Sequence, residues 1–148
     1  MKKLVFIFCV FLGGIASANA QEIADNAIGL RFGGGNGLGG EISYQKALGS
    51  KNRLEVNLGL ANDFSDFSAT GLYEWVWSLE GNFNWYAGAG GGIVSAGGTG
   101  LYASGVVGIE YNFKSPILLS LDYRPEIGLS GGLSGLTSDV ALSARYQF

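Results

Sequence analysis

The amino-acid sequence predicts an all-β fold, a single antiparallel up-and-down barrel of about eight strands behind an N-terminal signal peptide. Three observations predict it. Segments of alternating apolar and polar residues recur along the chain. Clusters rich in Gly, Asn, Ser and Pro separate them. No stretch after residue 20 keeps a 3.6-residue period for long, and no second long apolar run follows the first.

Residues 1–20 read as the export signal. Lys2 and Lys3 form a charged start, Leu4 to Leu12 an apolar stretch, and Ala18-Asn19-Ala20 a small-x-small cleavage site, with cleavage after Ala20. The apolar run is too short to cross about 30 Å of hydrocarbon as a helix. Cys9, the single cysteine, lies inside it, so cleavage removes all thiol chemistry. Cleavage takes away two lysines and no acids. The barrel domain, 21–148, then holds seven basic and twelve acidic side chains, a formal charge of −5. Nucleic-acid binding is not expected without a basic patch. Histidine is absent, which removes the commonest general base and metal ligand.

The mature 128 residues hold 24 of the 26 glycines, against a usual frequency of about 7%. Aromatic residues make up 13% of the chain, whereas disordered segments carry few. A folded chain is expected.

Eight strands follow in order, over approximately 27–35, 38–47, 53–61, 67–79, 82–95, 101–113, 117–128 and 137–148. Asn36-Gly37 is a two-residue hairpin signal. Gly49-Ser50-Lys51-Asn52, Glu80-Gly81-Asn82 and Lys114-Ser115-Pro116 are short polar turns. Asn62 to Asp66, Gly97 to Gly100 and Ser130 to Leu136 are looser and mostly longer. Short turns on one rim and longer loops on the other suit a barrel that crosses an outer membrane. An even strand count places both termini on one side.

The last strand alternates most clearly. Val140, Leu142, Ala144, Tyr146 and Phe148 share one face, opposite Asp139, Ala141, Ser143, Arg145 and Gln147. The third sets Leu54, Val56, Leu58 and Leu60 against Arg53, Glu55, Asn57 and Gly59. The sixth sets Ala103, Val107, Ile109, Tyr111 and Phe113 against Ser104, Gly108, Glu110 and Asn112. Alternation alone does not say which face is inward, because a soluble barrel buries its apolar face. Aromatic placement favours the membrane. Tyr44, Trp75, Trp77, Phe83, Trp85, Tyr111, Phe113, Tyr146 and Phe148 fall on the apolar face near the short-turn rim. Amphipathic rings prefer that depth, as a girdle at a membrane interface. At the other rim the candidates are Phe32, Phe64, Phe67 and Tyr123.

Val140-x-Leu142-x-Ala144-x-Tyr146-x-Phe148 resembles the terminal signal read by the bacterial barrel assembly machinery. With the signal peptide, the chain resembles the small outer membrane protein beta-barrel domain families of Gram-negative bacteria. Gly108-Ile109-Glu110-Tyr111-Asn112-Phe113 and Leu119-Ser120-Leu121-Asp122-Tyr123-Arg124-Pro125 resemble stretches recurring there. The resemblance implies an outer-membrane barrel with periplasmic termini, contacts with outer-membrane lipid, and the assembly machinery as partner through strand 140–148. It carries over no functional residue. A monomer is expected.

The inward face is expected to carry Arg31, Glu41, Glu55, Glu74, Glu110, Asp122, Arg124, Asp139 and Arg145. Eight strands leave an interior just wide enough for side chains. These groups are therefore read as a plug of ion pairs, with a narrow pore or small-molecule carrier as the alternative. A soluble lipocalin-like binding barrel is a second alternative.

Gly35-Asn36-Gly37-Leu38-Gly39-Gly40 matches the dinucleotide pattern G-x-G-x-x-G, but alternating strand residues follow it where that motif needs a helix. Small barrels that act on lipid A rely on a histidine, which this chain lacks. Ser65, Ser68 and Ser138 have no base to activate them. Asp63 and Asp66 are two carboxylates in a loop, too few to define a metal site. No catalytic residue, cofactor or metal is expected. A structural or surface-interaction role is the favoured reading.

Overall fold

The computed structural model describes residues 23–34, 39–61, 63–113 and 116–148. Eight strands run β1 (Asn26–Gly33), β2 (Gly40–Ala47), β3 (Asn52–Ala61), β4 (Asp66–Glu80), β5 (Phe83–Ser95), β6 (Thr99–Asn112), β7 (Ile117–Gly128) and β8 (Leu136–Gln147). Each pairs antiparallel with the next, and β8 pairs with β1, so the sheet closes with no free edge. The predicted strands match these bounds to within two residues. The signal peptide and its cleavage site lie outside the described residues.

Closure shows in the register. Paired residues can be followed from Ile28 through Tyr44, Val56, Gly71, Gly91, Ala103 and Ile127 to Leu136. Ile28 itself pairs with Tyr146, ten residues from Leu136. A stagger of that size around eight strands tilts them roughly 40° from the barrel axis. The tilt also decides which residues of distant strands meet inside.

The turns correct the sequence reading in one place, the contrast in length between the two rims. The Asn36-Gly37 signal lies outside the described residues, but the ladder beside it pairs Phe32 with Gly40. β1 ends at Gly33 and β2 begins at Gly40. The rims differ less in loop length than expected. Residues 129–135 form the longest connection, yet 96–98 is only three residues long. At the opposite rim, residues 81–82 make the tightest turn, with Gly81 at φ 57° where a side chain would be strained. A bulge between Ser78 and Glu80 precedes it.

The faces separate cleanly. Alternate residues of β3 run buried from Arg53 through Glu55 and Asn57 to Gly59, with Leu54, Leu58 and Leu60 exposed between them. β8 buries Asp139, Ala141, Ser143 and Arg145 and exposes Val140, Leu142 and Tyr146. The apolar interior is correspondingly small. Leu72, Val76, Tyr86 and Val106 form its cluster, and Ile23, just before β1, packs against it near the termini. Glycine makes room for the inward rings: a Cβ on Gly108 would strike the phenol of Tyr86, and one on Gly92 the phenol of Tyr102.

Candidate functional site

The candidate site is the filled interior. All nine predicted charges are buried there: Arg31, Glu41, Glu55, Glu74, Glu110, Asp122, Arg124, Asp139 and Arg145 are each at most 9% exposed. Two further charges join them, Arg53 and Glu126. Among the described residues the interior thus holds four guanidiniums and seven carboxylates.

They group at three levels. On the side of the loops 34–39 and 129–135, Arg31 reaches three strands. Its Nη1 lies 2.8 Å from Glu41 and 2.6 Å from Asp139, and its Nη2 lies 2.6 Å from Asp122. Arg124 grips both oxygens of Glu41 and places its Nε 3.0 Å from Glu126. In the middle, Arg145 donates to Ser43, Ser120 and Glu55, and Gln45 and Asn57 also donate to the Glu55 carboxylate. Towards the termini, Arg53 bridges Glu74 at 2.6 Å and Glu110 at 2.8 Å. Its guanidinium carbon sits 4.7 Å from the Tyr86 ring centre. Tyr86 in turn donates to Asp122, linking this level to the first. Nearer the termini still, Asn112 and Gln147 bond to each other through their amides.

Burying charge is costly unless each group is paired and hydrogen-bonded. Planar guanidiniums suit this, because several donors can be directed at different carboxylates. Each arginine here meets carboxylate or hydroxyl partners supplied by other strands. The result fills the barrel with a cross-linked polar core. Among the described residues, no group of three or more acids, cysteines or histidines is arranged to hold a metal ion.

The outer face is the reverse. Ile28, Leu30, Ile42, Leu58, Leu121 and Leu142 stand between 41% and 57% exposed at its middle. The outward Lys46 and Glu80 lie at the ends of their strands. All nine aromatics of the expected girdle gather at the rim shared by the termini. Trp75, Phe83, Phe113, Tyr146 and Phe148 are exposed, and Tyr44, Trp77, Trp85 and Tyr111 half-buried. Trp77 and Trp85 stack at 4.3 Å, and Tyr111 meets both Phe83 and Phe113 edge-on. Phe113 and Phe148 stand one residue beyond their strands. Tyr73 belongs with this set: it lies edge-on to Trp75 and accepts from Asn52. Tyr44 instead donates to Asn26. At the opposite rim Phe32 and Phe64 are exposed and Phe67 half-buried, while Tyr123 sits near the middle of β7.

The fold is therefore that of a closed eight-stranded barrel with its polarity turned inside out. Two solved structures have a similar strand arrangement. A de novo designed transmembrane β-barrel superposes with a TM-score of 0.63 at 16% identity, covering 88% of this chain and all of that one. Neisserial surface protein A (NspA) superposes with a TM-score of 0.55 at 15% identity, covering 83% of this chain and 94% of that one. No protein-family model and no curated protein sequence matches the chain.

Proposed function

We propose that the chain is an integral outer-membrane protein, a monomeric barrel with both termini in the periplasm and an interior closed to solutes. Its role is structural or surface-interacting rather than catalytic. One observation carries this reading: all the arginines of the described strands lie inside, while leucine, isoleucine and aromatic side chains cover the outside. Water would drive the opposite arrangement, as a lipocalin-like soluble barrel requires. Hydrocarbon favours it, and in hydrocarbon only a sheet with no edge satisfies its backbone. The designed transmembrane barrel and the surface protein of similar fold support the same reading. The export signal at 1–20 and the C-terminal strand 140–148, as substrate of the assembly machinery, complete the proposed route.

Three levels of ion pairs across the interior argue against a pore. The test is fractionation followed by a gel run with and without boiling. A folded barrel resists detergent, so the unboiled protein from outer membranes should migrate faster than the boiled one. Recovery in the soluble periplasm would sink the membrane reading. Purified monomer in planar bilayers should give no conductance steps, and persistent steps would favour the pore.

A further inference from the structure

We propose that the mouth opposite the termini is a binding vestibule for a small organic cation. This goes beyond the proposed location, because it depends on the shape and charge of one end of the barrel. Here a cavity of about 410 Å³ opens, within the range of small-molecule sites. Tyr102 and Glu126 line its deep end, and Val94, Leu133 and Thr137 line its wall. Tyr102 is braced across the barrel by its hydrogen bond to Thr70. Beyond Glu126, Arg124 and Glu41 obstruct further passage. A solute admitted here would stop.

The cavity is shaped by its backbone. Residues 129–135 fold back onto the barrel, with Leu129 and Ser130 both donating to the carbonyl of Leu101. Gly131, Gly132 and Gly135 take φ of 72°, 81° and 89°, which side chains rarely adopt. The fold-back lays Leu133 against Gly100 and Gly128, where an added Cβ at either position would strike it. A wall of leucine, valine and glycine backbone suits a short methylene chain.

Charge selects the head group. Among the described residues, no lysine or arginine lines the cavity. The cluster beneath it contains Arg31 and Arg124 against Glu41, Asp122, Glu126 and Asp139, a formal excess of two negative charges. Between low-dielectric walls that excess attracts an ammonium or guanidinium and repels a carboxylate.

The test is an amide NMR titration of the full chain, purified from outer membranes and held in lipid nanodiscs. Agmatine is the probe, with 1,4-butanediol as a neutral and succinate as an anionic molecule of similar length. Saturable shifts confined to residues 94–102 and 126–137 are expected with agmatine, at least tenfold weaker binding with the diol, and none with succinate. Gly98→Trp fills the cavity from a position where an added Cβ meets nothing within 4 Å, and should abolish binding. Glu126→Gln should weaken it at least fivefold; if that variant does not fold, Gly98→Trp decides alone. Absence of saturable shifts, succinate binding as tightly as agmatine, or agmatine binding undiminished in Gly98→Trp would each overturn the proposal.

Discussion

Arg31 and Asp139, 108 residues apart in the chain, meet at 2.6 Å across the seam where β8 closes onto β1. The same guanidinium holds Glu41 and Asp122, so one side chain compensates three buried carboxylates. Arg31→Ala leaves them facing one another without it. Removing one partner of a buried ion pair costs about 3–5 kcal/mol. Denaturant unfolding of the lipid-reconstituted barrel should show a loss of that order, with Asp139→Asn costing less. An Arg31→Ala barrel as stable as the parent would show that the cluster contributes nothing to closure.

Depth should decide the cost of a charge on the outer face. Leu142 lies mid-strand and 57% exposed, whereas Tyr146 lies at the rim of the termini. In a bilayer, Leu142→Arg should cost about 2–4 kcal/mol and Tyr146→Arg about 0–1 kcal/mol. The comparison uses unfolding in the same lipid. Equal costs would remove the depth gradient and with it the proposed orientation.

Gly29 tests how tightly the seam must close. A Cβ there would drive into the carbonyl of Ala144 and the Cα of Arg145 on β8. Gly29→Leu should therefore abolish the fast-migrating unboiled form. Gly49→Ala is the matched control, because an added Cβ meets nothing within 4 Å. A normally folded Gly29→Leu protein would contradict the packing of the seam.

All three tryptophans stand on the outer face near one rim. Amphipathic indoles at that height belong among headgroups. Brominated lipids should quench the protein's fluorescence most when the bromines are shallow and least when they are near the bilayer centre. Quenching that rises with depth would remove the girdle.

Much of the fold was legible because a strand's side chains alternate with a period of two, and local pattern suffices to detect that. The same period set the nine charges on one face, and all nine are buried. Arg53 stood on the polar face of its strand, yet was left out of the charge set. Glu126 follows Ser120, Asp122 and Arg124 at two-residue spacing, a signal within reach of the same rule. The partnerships were not legible. That Arg53 faces Glu74 follows from the β3–β4 register, and that Arg53 also reaches Glu110, or Arg145 reaches Glu55, follows from stagger around the closed sheet; no single strand encodes either. The vestibule was missed for a related reason: its glycines belong to different segments and share a wall only after closure.

In the proposed membrane, the ten-residue stagger makes the surrounding solvent a proofreader. Slipping one ladder by a single residue would swing that strand's arginines into oil and its leucines into the ionic core. A slip of two residues keeps the faces but shifts the strand by about 7 Å. Tyr86 would then lose the gap at Gly108, and the rings would leave their common height. Every misregistered barrel thus carries a visible fault, and only one alignment satisfies oil, ions and rings together.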